Sequence, residues 1–175
     1  MFLPKLPLLR GITLAELMVT IAIAGILLAV ALPSMRAFVI QNRLSAETRQ
    51  FIAALTLARS EAVKRGRAVI VCRSPTADAI GALCSNAATA KHGAGDWGAG
   101  WLVLVADNRQ ILLRQGALDS NTQAVSRHVT ITYNGTGNAS SSFSSLLFSN
   151  NGEFARRVCI AATGRIRLKM GGEAC

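Results

Sequence analysis

Residues 17–32 read LMVTIAIAGILLAVAL, sixteen consecutive positions without a charge. Counted back to Ile12 the run covers 21 positions, about the ~20 residues a helix needs to cross the hydrocarbon layer, with Glu16 inside it. A cleaved secretory signal would show small residues at a processing site directly after the run. Pro33, Ser34, Met35 and Arg36 follow instead, then a long amphipathic pattern, so a retained helix fits better.

Of the 175 residues 51% are apolar and 16% charged, which excludes a disordered chain, and the length leaves room for about one globular unit. Nineteen Lys and Arg against nine Asp and Glu give +10, an excess that favours polyanions such as nucleic acid or acidic lipid headgroups.

MFLPKLPLLRG precedes the run, carrying Lys5 and Arg10 and ending at Gly11, directly before Ile12, Thr13, Leu14, Ala15 and Glu16. This glycine, the Glu16 carboxylate and the apolar run together resemble the class III signal of type IV pilins and type II secretion pseudopilins. The resemblance implies that a prepilin peptidase cuts between Gly11 and Ile12 and that Ile12 becomes a methylated N-terminus. It also implies a single pass through the bacterial inner membrane, a periplasmic C-terminal domain, and a place at the pilus or cell surface after assembly. Ile12 departs from the family's usual Phe.

A lone carboxylate in hydrocarbon costs at least a few kcal/mol and tends to mark function. The resemblance implies that Glu16 pairs with the new amino group of a neighbouring subunit, which makes other major and minor pilins its partners. The plainer alternative is that Glu16 snorkels to the headgroups. Gly25 and Ala29 form a small-xxx-small pair, and Pro33 disfavours helix before it. Residues 25–33 are therefore expected to be a weak stretch of helix.

From residue 34 to Gly66 the pattern is helical: Leu44, Thr48, Phe51, Leu55, Ala58 and Ala62 form one stripe suited to packing on a sheet. Arg43, Glu47, Arg59 and Glu61 lie off the stripe and are expected to be solvated. Glu61 and Arg65 form an i,i+4 pair, and Lys64 and Arg65 suit the end of a helix stopped by Gly66. Beyond it, β-type runs begin at Ala68, Trp101, Ile111, Val129 and Val158. Turn residues stand at 107–109, 134–137 and 150–152. The fold class expected is α+β, a pilin-like long N-terminal helix packed on a small antiparallel β domain. Its parts are a leader (1–11), a transmembrane and assembly helix (12–33), an amphipathic helix (34–66) and a β-rich domain with a basic C-terminal segment (67–175).

The Gly100-Trp101 strand opening, the stretch from Phe148 to Gly152 and the terminal CIAATGRIRLKMGGEAC resemble the GspH/FimT branch of minor pilins. In GRIRLKM, Arg165, Arg167 and Lys169 alternate with Ile166, Leu168 and Met170. An extended backbone puts the three cations on one face, roughly 7 Å apart, and buries the other face. Arginine forks suit phosphate oxygens, and Gly164 allows close backbone approach or an unusual turn. Arg156 and Arg157 join the patch if the two segments form a hairpin. The Gly-Arg-x-Arg of residues 164–167 is similar to the DNA-binding motif of FimT-type pilins, which implies capture of double-stranded DNA in natural transformation. Exposed Lys and Arg also guard any half-buried edge strand, the plainer reading of the same alternation. Three neutralised phosphates predict about a 40-fold loss of affinity between 50 and 200 mM salt. No aromatics interleave with the cations, so the binding expected is largely independent of sequence.

In a protein exported past the inner membrane, four cysteines without a Cys-x-x-Cys favour disulfides over metal ligands. Three connectivities are open. The local one, Cys72 with Cys84 and Cys159 with Cys175, is preferred, and free buried cysteines are the alternative. Residues 93–98 match G-x-G-x-x-G but precede a strand instead of opening a helix, so a flexible glycine loop is expected there. His92 and His128 lie outside any metal spacing, and no serine has a nucleophile-elbow setting. No cofactor, metal or catalytic activity is therefore expected. A GspH-like pseudopilin of type II secretion, with a structural role, is the alternative to DNA uptake.

Overall fold

The computed structural model describes residues 11–140 and 144–175, without the side chains of Val30 and residues 32–34. The expected leader, apart from Gly11, lies outside the described residues. The chain divides into two compact units, one ending at Val39 and the other Ile40–Cys175.

A single helix, α1 (Leu14–Arg65), runs through the Val39/Ile40 boundary and through position 33, so Pro33 does not interrupt it. In the first unit, Ile12, Leu14, Met18, Ile21, Ile26 and Leu27 are each more than half exposed. Among the described residues no helix is long and apolar enough to cross a membrane. The side chains at 30 and 32–34, inside the expected 12–33 span, are not among those described. Thr13 and Glu16 close the start of α1 reciprocally. The Glu16 N–H donates to Thr13 Oγ1 at 3.2 Å and the Thr13 N–H to Glu16 Oε2 at 3.5 Å, a capping box that the sequence reading missed.

In the second unit, α1 buries all six stripe residues from Leu44 to Ala62. The stripe shares one buried core with two antiparallel sheets. One has the order β3 (Ile111–Gln115), β2 (Trp101–Val105), β1 (Val69–Arg73), β5 (Thr130–Tyr133). The other has the order β4 (Thr122–Ser126), β6 (Ser144–Asn150), β7 (Phe154–Ile160), β8 (Ile166–Met170). Phe51 lies at the centre of the core, edge-on to Trp97 and Trp101 with ring centroids 5.5 and 5.2 Å away, and tilted against Phe148. Such pairs add about 0.5–1.5 kcal/mol each beyond the area they bury.

Every residue of β2 is buried, because the first sheet is covered on both faces. The core lies on one side, and Ala77, Ala82 and Cys84 pack over Cys72, Leu102 and Leu104 on the other. The Cys72–Cys84 disulfide staples that cover, and the Cys159–Cys175 disulfide ties the C-terminus to β7, the local pairing expected. The turn at residues 107–109 joins β2 to β3, and Asn151 with Gly152 joins β6 to β7. Ser144 and Ser145 open β6, an interior strand of the second sheet.

Two expectations are corrected in this unit. Glu47 is buried, its Oε1 accepting from the Asp119 N–H at 3.3 Å, while Arg43 pairs with the Asp119 carboxylate. Residues 93–98 are built into the domain instead of forming a free glycine loop. Asp96 caps a short 3-10 helix (Trp97–Ala99) through the Gly98 N–H at 2.8 Å and also accepts from the Ala124 N–H of β4 at 2.7 Å. His92 Nδ1 lies 2.9 Å from the other carboxylate oxygen.

Tyr133, the only tyrosine, is fully buried. Burial pushes its phenol up to about 12, with the Arg59 charge pulling the other way. A phenol whose folded value lies above the ordinary ~10 leaves stability intact below pH ~10, and that stability is lost as pH rises toward the folded value. An absorbance titration of the native chain should therefore place the tyrosinate midpoint near 12, with melting temperature falling from pH ~10 upward. A midpoint near 10 in the folded chain would show that the ring is open to water.

Candidate nucleic-acid interface

The C-terminal cations are set by the β7–β8 hairpin. Arg157 lies opposite Lys169 and Cys159 opposite Arg167, so strand alternation puts Arg157, Arg167 and Lys169 on one face of the second sheet. Arg156 lies opposite Met170 on the other face and is separated from the stripe, contrary to expectation. The burial expected between the cations is only partly realised: Ile166 is half-buried, whereas Leu168 is 41% and Met170 65% exposed. The reason is that β8 is an edge strand with β7 as its one neighbour.

The turn that aims Arg165 is held from three sides. The Gly164 N–H donates to the Ala161 carbonyl at 2.8 Å and the Ala161 N–H to the Arg165 carbonyl at 2.9 Å. From the 134–139 loop, the Ala139 N–H donates to the Ala162 carbonyl at 2.9 Å. From α1, Arg59 Nη2 donates to the Thr163 carbonyl at 3.1 Å. Gly164 has φ +75°, and a Cβ there would overlap the Gly137 carbonyl oxygen and come within 3.0 Å of Arg59 Nε. Packing alone accounts for this glycine.

It does not account for the arginines beside it. Arg165 and Arg167 are exposed and line one groove of about 320 Å³ with Cys159, Thr163 and Cys175. Among the described residues neither guanidinium has a hydrogen-bond or ion-pair partner. Lys169 and Arg157 are engaged by the disulfide-tethered tail. Lys169 Nζ donates to the Ala174 carbonyl at 2.6 Å, and Arg157 Nη2 to the Gly172 carbonyl at 3.1 Å. Arg157 Nη1 also donates to Ser145 Oγ at 3.3 Å. None of the nine Asp and Glu residues falls in a strand, so the outer face of the second sheet presents cations without strand carboxylates.

Gly11 and Ile12 precede the first helical residue and are exposed. Residues 10–32 match the family described as prokaryotic N-terminal methylation motif. Residues 47–164, from the buried half of α1 to the Gly164 turn, match the family described as type II transport protein GspH. The chain belongs to the GspH family. Two crystal structures of the type IV minor pilin FimU from Pseudomonas aeruginosa PAO1 share the fold of this GspH-family chain. One is 22% identical with a TM-score of 0.59, covering 79% of this chain and 96% of that one. The other is 21% identical with a TM-score of 0.55, covering 75% and 96%. No curated protein matches the chain. A GspH domain behind a methylation motif makes it a minor pilin or pseudopilin-like protein. The GspH match ends at Gly164, before Arg165, and the support that Arg59 of α1 gives the Arg165 turn was not legible in the sequence.

Proposed function

We propose that this protein is a minor type IV pilin that captures extracellular double-stranded DNA, largely independently of sequence, for uptake in natural transformation. Prepilin peptidase cleaves after Gly11 and Ile12 is methylated. Residues 12–33 anchor the chain in the inner membrane, and Glu16 serves assembly with major and minor pilins, the domain reaching the pilus surface. Arg165 and Arg167 take the phosphates, with Lys169 and Arg157 beside them. One observation carries the reading: two exposed arginines without protein partners share an open groove on a sheet whose strands hold no carboxylate. Gly164 serves this site as the residue that shapes the turn. Arg156, on the other face, is left out of it.

The full chain in detergent should bind a labelled duplex, and the doubly substituted Arg165→Gln, Arg167→Gln chain should bind about tenfold less tightly. Its salt slope should be shallower by about 1.8, at ~0.9 per phosphate contact. Undiminished binding by the double variant removes these residues from the interface. The GspH description supports a second reading, a pseudopilin of a type II secretion system with the same arginines serving subunit contacts. Absence of wild-type binding at low salt would favour it.

A further inference from the structure

The cationic face does not end at β8. One rung crosses all four strands of the second sheet, Val125 beside Leu147, Leu147 beside Arg157, and Arg157 beside Lys169. Three strand spacings, ~14 Å, separate its ends. Over β4, β6 and β7, at the β4 end of that rung, lies a cleft of about 230 Å³. Val125 and Leu147 line it, Arg127, His128 and Arg157 provide its cations and ring nitrogens, and Ser145 accepts from Arg157 inside it. Arg127 and His128 are exposed.

Their turn is nonetheless anchored. The His128 carbonyl accepts from the indole of buried Trp97 at 3.0 Å, the His128 N–H donates to Ser126 Oγ at 3.2 Å, and the Val129 carbonyl accepts from the Arg73 N–H at 3.2 Å. Donors on a fixed turn lose less entropy on meeting a ligand than donors on a loose one. Arg157 and Lys169 are like charges directly opposite each other, an arrangement that costs stability in a sheet unless anionic or carbonyl oxygens sit over it. The tail carbonyls supply part of that cover, and the Arg157 side chain reaches from beneath the tail into the cleft.

We propose that Arg127 and His128, at the β4 end of this cleft, form a second contact with the sugar-phosphate backbone of the same duplex, which then crosses the outer face of β4, β6 and β7 to Arg157 and the cations of β8. This rests on the DNA-binding reading above. A strand advances 3.4 Å per nucleotide along the duplex axis, so the ~14 Å between the two sheet edges corresponds to about four base pairs. The apolar Val125 and Leu147 between the cationic ends suit the sugar edge of the backbone, which needs no charge.

The test is duplex binding by the full chain in detergent, followed by anisotropy between about 50 and 200 mM salt. The variants are Arg127→Gln with His128→Gln, and Arg165→Gln with Arg167→Gln. Lys64→Gln serves as a control that removes one charge from the exposed end of α1. The cleft variant should lose about fivefold in affinity, with a salt slope shallower by about 0.9, and the control should match the wild type. A cleft variant that binds like the wild type, while the Arg165/Arg167 variant weakens, overturns the second contact and leaves the β8 interface standing. A cleft variant that weakens alone keeps the cleft and removes the β8 assignment. No wild-type binding at low salt overturns both.

Discussion

Replacing Arg73 with Met is expected to destabilise the fold by about 3–5 kcal/mol, the range for removing one partner of a buried charged cluster. Arg73 is fully buried at the end of β1. Its Nε donates to the Asp96 carbonyl at 2.6 Å, Nη1 to the Ser85 carbonyl at 2.8 Å and Nη2 to the Gly93 carbonyl at 3.2 Å. One planar fork thus gathers three points of the segment between β1 and β2, just after the Cys84 staple and at both ends of the turn that carries Asp96. Burial pushes the guanidinium below its ordinary value, and the Asp96 charge opposes that shift. Without the fork, the Ser85 carbonyl loses its donor, the Gly93 and Asp96 carbonyls keep only the Asp96 and Ala99 N–H groups, and the Asp96 carboxylate loses its nearby cation. Arg73→Lys keeps the charge but offers a single ammonium, so it should fall between wild type and Met. Against a usual total stability of 5–15 kcal/mol, a loss of this size should lower the melting temperature by roughly 10 °C or more. A Met variant melting within about 2 °C of the wild type, which corresponds to less than ~1 kcal/mol, would show that the cluster contributes nothing net.

What could be read in advance follows the range of the interactions. The α1 stripe was legible because helical period is a local property, and all six of its residues are buried. The apolar run at β2 likewise announced a strand, and only the structure shows that it is covered on both faces. The second sheet was harder. β4 reads TQAVS, with Thr122 and Ala124 inward, and its place depends on pairing with β6 and on Asp96 capping Ala124. Nothing within five residues of it signals that. Arg73, Glu47 and Arg59 were opaque for the same reason, since their partners are backbone groups 12 to 104 positions away. In the candidate site, the alternation expected for Arg167 and Lys169 is that of β8, whereas Arg165 lies in the turn before the strand. Alternation separates Arg156 from Arg157, but only the register shows that Arg157 shares the face of Lys169, and only the tail's return shows that Lys169 is occupied while the two arginines are not.

Gly164→Ala should divide the Gly-Arg-x-Arg segment into a part needed for folding and a part available for binding. At φ +75° an alanine pays about 1–2 kcal/mol for the left-handed conformation. Its Cβ also overlaps the Gly137 carbonyl, a backbone atom held in the turn where the Gly137 N–H donates to the Asn134 carbonyl at 2.9 Å, so relief requires moving that turn or the hairpin. Overpacking of this kind costs about 1–3 kcal/mol more, which sets the expected loss near 2–5 kcal/mol and a melting temperature lower by about 5–15 °C. Arg59→Ala removes the second neighbour but not the carbonyl, so the double variant should melt no higher than Gly164→Ala alone. If instead the glycine serves only to let a phosphate approach the backbone, Gly164→Ala would melt with the wild type and lose DNA affinity. The Arg165→Gln, Arg167→Gln chain should show the reverse pattern, keeping its melting temperature within about 2 °C, because substitutions of exposed side chains without partners usually change stability by less than ~0.5 kcal/mol. A motif whose glycine moves stability and whose arginines move affinity is one in which the fold presents the cations and has no structural use for them.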